Sequence, residues 1–274
     1  MNAHVFQPLP RWDGSQAFRL GVTSYVYPDA ILPNVRAVAP VADDVELVLF
    51  ESEDATNLPS PAEIDELRQL AATHELTYTV HFPIDAQLGS PFLAERQKML
   101  ARVLQLVELT APLQPYAYLL HAEGVDPAAR PERVSEWQRD VLALLDPIAK
   151  RVASPQLVCL ENLAYPFEWC QPFLDAFEFS VCLDAGHFWQ TGQDWRAAVT
   201  RWLPRTRVIH LYGTGDGTRH LSLAASPPDL VQAFLAALGG YSGVLTLETF
   251  GYDDTRTSLE RLATCLKTNN AKRA

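Results

Sequence analysis

QLVCLEN at 156–162, FSVCLDAGH at 179–187 and TRVIHLY at 206–212 set the architecture of this chain. Each is a short run of β-branched and apolar residues that closes on a polar, chemically competent side chain. On either side of them, five more runs have the same form: RLGVTS at 19–24, DVELVLFE at 44–51, LTYTVHF at 76–82, YAYLLH at 116–121 and GVLTLETF at 243–250. Segments of helical periodicity separate them. In PAEIDELRQLAATH, 61–74, the apolar Ile64, Leu67, Leu70 and Ala71 recur at three- and four-residue spacing behind a Ser60 N-cap and Pro61 at the first helical position. Further helices are expected at about 91–110, 131–151 and 226–238. Eight strands alternating with helices predict an α/β protein whose parallel sheet closes as a (β/α)8 TIM barrel.

The 274 residues fit one such barrel domain over 1–274, with an irregular leader at 1–17 and an irregular tail at 269–274 expected. No G-x-G-x-x-G follows the first strand and no G-x-x-x-x-G-K-[ST] occurs, so nucleotide-cradling loops are not expected. A net charge of −11 disfavours gripping nucleic acid through its phosphates, which takes Lys and Arg to displace counterions. The four cysteines show no C-x-x-C spacing and read as buried free thiols. With no signal-like run at the start and no stretch approaching the ~18 apolar residues of a membrane span, a cytoplasmic protein without a membrane partner is expected. The sequence leaves the oligomeric state open.

In a (β/α)8 barrel, catalytic side chains project from the carboxyl ends of the strands. Here the third strand ends in His81, the fourth in His121, the fifth in Glu161, the sixth in Asp184 with His187 just beyond, the seventh in His210 and the eighth in Glu248. A lone strand-end His or Glu is ordinarily a hydrogen-bonded structural residue. Six consecutive strands delivering one each to the same layer is a different matter, because burying unpaired charge costs several kcal/mol and a shared cation offsets it. Imidazole and carboxylate together suit Zn, Mn or Fe. The first loop adds Tyr25 and Tyr27, and the second adds Glu51, Ser52 and Asn57, as an aromatic and polar rim over the ring. Trp189 and Trp195 in the sixth loop suit either a ligand wall or core packing.

The ends LEN at 160–162, CLDAGH at 182–187, VIHLY at 208–212 and TLETF at 246–250 resemble the xylose isomerase-like barrel superfamily, which holds sugar isomerases, epimerases and endonuclease IV-type repair enzymes. The resemblance implies a core metal set of Glu161, Asp184, His210 and Glu248, with His187 as a further ligand or substrate contact. His81 and His121 resemble the extra ligands with which repair endonucleases hold additional metals, which implies two or more ions. GTGDGTRHLSL at 213–223 resembles the endonuclease D-R-H element, except that Thr218 stands where its Asp ligand would be. Either Asp216, two residues away, is then the substitute ligand, or His220 contacts a substrate phosphate instead, with a solvated loop histidine as the plain alternative.

The stretch GVTSYVYPDAILPNVRAVAPVADDVELVLFESEDATNLPSP, 21–61, resembles a narrower family, the cobamide-remodelling phosphodiesterases. That resemblance implies hydrolysis of the phosphodiester in a cobamide's nucleotide loop, giving α-ribazole and cobinamide phosphate. Glu161, Glu248 and His187 are then the catalytic candidates, with Glu161 bridging the metals, and Tyr25, Glu51, Asn57 and His220 are candidate substrate contacts. The rival is a metal-dependent sugar isomerase or epimerase, which leaves His81 and His121 without a role. A ligand-binding protein with a structural metal is a third possibility, disfavoured because structural sites are closed whereas ligands from six strands suit an open cleft.

Overall fold

Two-residue alternation along each strand sorts the side chains of this chain to the inside or outside of a closed sheet. The computed structural model describes residues 6–12, 16–51, 56–83 and 87–273. Seven strands come in chain order: β1 Arg19–Thr23, β2 Asp44–Val48, β3 Thr77–His81, β4 Ala117–Leu120, β5 Val158–Glu161, β6 Ser180–Asp184 and β7 Thr206–Leu211. A small antiparallel hairpin follows, β8 Gly213–Gly215 and β9 Thr218–Leu221, and then β10 Val244–Leu247. The barrel closes in the order β1-β10-β7-β6-β5-β4-β3-β2, every pair parallel. The helices are α1 Ile31–Val38, α2 Pro61–His74, α3 Leu93–Thr110, α4 Pro131–Arg151, α5 Gln171–Phe177, α6 Ala185–Thr191, α7 Trp195–Trp202, α8 Pro228–Ala237 and α9 Tyr252–Arg273. None is long and apolar enough to cross a membrane.

Outward residues such as Leu20, Val45, Val80, Leu160, Leu183 and Ile209 join the main core beneath the helices. A separate, smaller cluster of Ala117, Leu119, Cys159, Cys182, Val208 and Val244 fills the barrel interior. On β5, β6 and β7 the next inward position, two residues further along, is Glu161, Asp184 or His210. The same alternation that packs the barrel floor therefore lifts the polar ends to one layer above it.

Local chemistry sets the element ends. Ser60 and Glu63 form a reciprocal capping box at α2, with Pro61 at its first position. The second strand, whose sequence run extends to residue 51, stops at Val48 because the Asn57 side chain takes over: its amide donates to the Val48 carbonyl and its oxygen accepts from the Phe50 N–H, each at 2.7 Å. The sixth, whose run extends to residue 187, stops at Asp184, whose carboxylate accepts from the His187 N–H at 2.6 Å and caps α6. Residues 6–12 and 16–18 carry no helix or strand. The expected irregular tail is corrected: α9 runs on to Arg273. Leu259, Leu262 and Cys265 bury one of its faces, and Asn269 donates to the Gln232 carbonyl of α8 at 3.0 Å. The four cysteines are free and buried.

Candidate metal centre

The strand ends bring His81, His121, Glu161, Asp184, His187, His210 and Glu248 into one cluster at the carboxyl mouth of the barrel. Glu161 is its hub. Its Oε2 lies 3.2 Å from His121 Nε2, 3.5 Å from His210 Nδ1 and 3.7 Å from His81 Nε2, and its Oε1 lies 3.6 Å from His187 Nε2. Asp184 Oδ2 is 3.6 Å from His187 Nε2 and 3.9 Å from His210 Nδ1, while Glu248 Oε2 is 3.2 Å from His210 Nδ1 and 3.4 Å from His220 Nδ1. Gly186 is needed beside this cluster, because a Cβ there would sit 2.1 Å from the Tyr212 ring.

These atoms fit metal binding better than hydrogen bonding. His121 Nε2, Glu161 Oε2, Asp184 Oδ2, His210 Nδ1 and Glu248 Oε2 are all buried without a hydrogen-bond partner, although they face one another. Donors about 2.1 Å from a tetrahedral ion lie about 3.4 Å apart, close to the 3.2 to 3.9 Å seen here. The donors fall into five overlapping groups among the described residues, three of them built only from the strand-end residues: His81, His121 and Glu161; Glu161, Asp184 and His187; Asp184, His210 and Glu248. Glu161 belongs to the first two and Asp184 to the last two.

The outer nitrogens of three histidines are fixed by acceptors. His81 Nδ1 meets the Phe82 carbonyl at 2.8 Å, His121 Nδ1 meets Glu123 Oε1 at 3.4 Å and His210 Nε2 meets Glu46 Oε2 at 2.8 Å. In each case the acceptor holds a proton on the outer nitrogen, so that the inner nitrogen, once its own proton is displaced, can face the cluster as a ligand, the arrangement metal-ligating imidazoles require. Asn162 holds Asp184 in the same way, donating to its carbonyl at 3.1 Å and accepting its N–H at 2.7 Å. Glu46, Glu123 and Asn162 escape the sequence reading. For Glu46 the signal is there: in Asp44-Val45-Glu46-Leu47 the acids occupy the inward positions of a buried strand.

Burial penalises charge throughout the cluster, and mutual attraction decides where protons stay. Burial opposes protonation of His121, but Glu161 and Glu123 outweigh it and push the imidazole up to about 10. His210 is raised against the same penalty by the negative groups around it, Glu248, Glu46 and Glu161 among them. Burial would raise Glu161 and Glu248, yet the facing imidazoles hold both below the carboxylate range. Asp184 goes the other way, raised by burial and then by Glu161 and Glu248. His187 is brought down to about 4, chiefly by burial, and is therefore neutral. Protons balance the cluster's negative charge in the metal-free chain, and ligation displaces them.

Above the cluster opens a cavity of about 640 Å³. His81, His121, Glu161, His187, His220 and Glu248 line its floor, and Val48, Leu49, Phe50, Phe82, Val125, Leu163 and Phe250 make its walls largely apolar. His220 stacks on Tyr212 with ring centroids 4.3 Å apart. Tyr25, Glu51 and Asn57 are not among the lining residues. Asn57 builds the second loop and donates to the Tyr25 hydroxyl at 2.7 Å, and Glu51 lies 3.7 Å from Arg102. Tyr25 borders a separate hollow with Tyr27 and Tyr252. Ser52 lies outside the described residues. Asp216 sits exposed in the β8–β9 turn and joins no donor group among the described residues, and Thr218 is exposed beside it. Trp189 and Trp195 both pack on Phe234 of α8, so they belong to the core under the helices.

A D-tagatose 3-epimerase-like protein superposes with a TM-score of 0.75 at 21% identity over 94% of this chain and 100% of its own. Endonuclease IV from Thermus thermophilus gives 0.68 at 22% identity over 91% of this chain and 99% of its own. The IOLI protein with a binding zinc atom gives 0.69 at 15% identity over 93% and 99%. No curated protein matches the sequence. The model of the xylose isomerase-like TIM barrel family matches residues 39–268. With its closed eight-stranded barrel and its acids and imidazoles at the strand ends, the chain belongs to the xylose isomerase-like TIM barrel family.

Proposed function

We propose that the chain is a metal-dependent phosphodiesterase that cleaves the nucleotide loop of a cobamide, releasing α-ribazole and leaving cobinamide phosphate. One observation carries the reading: Glu161 is shared between two groups of donors, one built on His81 and His121 and the other on Asp184 and His187, so the cluster offers more ligands than one ion takes. Polynuclear sites of this kind suit phosphodiesters. Two or more divalent ions, of Zn, Mn or Fe, would be held by His81, His121, Glu161, Asp184, His187, His210 and Glu248. Bound there, they supply Lewis-acid charge to the phosphate oxygens and lower the pKa of water to make a nucleophile at neutral pH. The zinc of a structural relative is consistent with this donor set.

The chain's own residues do the rest. Glu161, at the centre of the cluster, positions both halves of the site. Glu248, with His210 and His220 on its Oε2, holds a proton acceptor at the cavity floor. His187 lines the same floor. The apolar walls exclude water and receive the faces of a bulky substrate, with Phe50 and Phe250 exposed at the rim. The partner is a small molecule, and the net charge of −11 makes a backbone-tracking nucleic-acid surface unfavourable.

A second reading has its own support. Glu161, Asp184, His210 and Glu248 alone would serve a one-metal sugar isomerase or epimerase, in which the paired glutamates exchange protons on either face, and epimerases are among the structural relatives. Incubating the purified protein anaerobically with a cobamide, and separately with a panel of ketoses, decides between the two by chromatography. Release of α-ribazole supports the phosphodiesterase; interconversion of ketoses without α-ribazole replaces it with the epimerase.

A further inference from the structure

The amino end of the barrel, opposite the metal centre, holds a second cavity of about 760 Å³. It is lined by the starts of β6 and β7 and by the glycine-rich loop GGYSG, 239–243, that leads into β10. Chemistry in this fold belongs to the carboxyl ends of the strands, so the cavity is not a second face of the candidate active site. β7 carries Arg207 near its start and His210 three residues on, about 10 Å away at ~3.3 Å per residue. Three of the described lining residues are charged: Glu178, Arg205 and Arg207. Glu178 is exposed at the left-handed C-cap of α5. Arg205 is fully engaged: its Nε donates to the Phe179 carbonyl at 2.6 Å, Nη1 meets Asp175 at 3.2 Å and Nη2 meets the Leu174 carbonyl.

Arg207 is held differently. Its Cζ lies 4.2 Å from the centre of the Tyr116 ring, and its Nε donates to the Tyr116 carbonyl at 2.6 Å. Tyr116 precedes β4, and β5 and β6 separate β4 from β7, so the side chain reaches beneath two strands and is pinned by one face and one edge. Bracing the barrel floor uses that face and that edge. The end formed by Nη1 and Nη2 pairs with no carboxylate among the described residues. The loop is built against the same arginine: the Tyr241 hydroxyl donates to the Arg207 carbonyl at 2.7 Å, and a Cβ on Gly243 would sit 2.5 Å from that carbonyl oxygen. Ser242 is exposed in the loop, and Gly239 and Gly240 leave open space where side chains would stand. A planar fork already fixed by stacking suits two oxygens of one oxyanion, and the cavity has the volume of a small-molecule site.

We propose that this cavity binds a phosphate-bearing small molecule, with Arg207 gripping two phosphate oxygens through Nη1 and Nη2 and the Ser242 hydroxyl donating to a third. Phosphate is favoured over carboxylate because the fork alone satisfies two oxygens and the loop adds a further donor. The site is independent of the reaction performed at the metal centre.

The test titrates inorganic phosphate into the full chain, kept in chelator so that no ion at the metal centre recruits it, and follows the backbone amide NMR shifts of Gly239, Gly240 and Ser242. Wild type is compared with Arg207→Met, Arg207→Lys and Gly239→Glu. The last sets a like charge into open space, at a residue whose backbone is not left-handed. Wild type is expected to show saturable shifts at these amides. Affinity should fall about tenfold or more in Arg207→Met and Gly239→Glu, and less in Arg207→Lys, which keeps the charge and loses the fork. Because Arg207 also braces the barrel floor, Gly239→Glu decides the matter should Arg207→Met fail to fold. Malonate, titrated in parallel, is expected to bind more weakly than phosphate. Absence of saturable shifts in wild type, equal phosphate affinity in wild type and Gly239→Glu, or malonate bound as tightly as phosphate overturns the proposal.

Discussion

Replacing Glu161 by Gln removes a negative charge from the point where four imidazoles converge, at 3.2, 3.5, 3.7 and 3.6 Å from its two oxygens. The two donor groups share that carboxylate, so both lose a ligand at once. Metal bound to the native state alone stabilises it by RT ln(1 + [L]/Kd), about 2.7 kcal/mol at a hundredfold excess over Kd. For a chain of this size each kcal/mol moves Tm by roughly 2–4 °C, so loading should raise the wild-type Tm by roughly 5–10 °C. Disturbing even an outer partner of a metal ligand costs 10–100-fold in affinity, and loss of a shared ligand should cost at least about a hundredfold. At the same metal concentration the increment in Glu161→Gln then falls to about 0.4 kcal/mol, on the order of 1 °C. Thermal unfolding of each protein, chelated and loaded, reads the increment directly. Each variant is compared with its own metal-free form, so loss of the carboxylate's attraction for His121 and His210 cancels. A Glu161→Gln protein that keeps the full wild-type increment would refute the assignment of Glu161 as the shared ligand.

The same geometry sets three further expectations. Glu46→Gln removes the charge that orients His210 at 2.8 Å, and metal affinity measured against a chromophoric chelator should fall about 10–100-fold with the fold retained; unchanged affinity would contradict that role. Gly186→Ala places a methyl group into the Tyr212 ring, which should cost about 1–3 kcal/mol in urea unfolding, and a neutral result would mean the helix start yields freely. Asp44, wholly buried beneath the site, is pushed up to about 7, first by burial and, to a smaller extent, by Glu46. A carboxyl raised in the folded state contributes stability that is fully present below its unfolded pKa and is lost as pH rises through the folded value. Wild type should therefore lose stability between pH 4 and 7, on the order of 4 kcal/mol at most, relative to Asp44→Asn in chelator. Parallel pH profiles for the two proteins in denaturant titrations would count against it.

The barrel is legible in the sequence because its two periodicities are strong. The helices at 61–74 and 131–151 end where the pattern ends, and each barrel strand lies within its expected run. Strand ends are less so, since side-chain hydrogen bonds set them: Asn57 truncates the second strand and Asp184 the sixth. Within the site, residues that terminate an apolar run declare themselves, which is why His81, Glu161 and Asp184 can be read directly. Glu46 is hidden because it lies inside its strand, and Glu123 and Asn162 because each follows a more conspicuous ligand by one or two residues. The rim is read from loop composition, which cannot distinguish a side chain that faces a ligand from one that builds the loop. Asn57 and Tyr25 do the latter.

A polynuclear cluster whose chemistry needs more than one ion has a stoichiometric signature. Chelated protein is titrated anaerobically with a single metal, and α-ribazole release from a cobamide is followed against metal equivalents bound per chain. Little turnover is expected at one equivalent, with a rise as the second is bound. Full activity at one equivalent, or ketose interconversion in its place, would contradict the polynuclear phosphodiesterase.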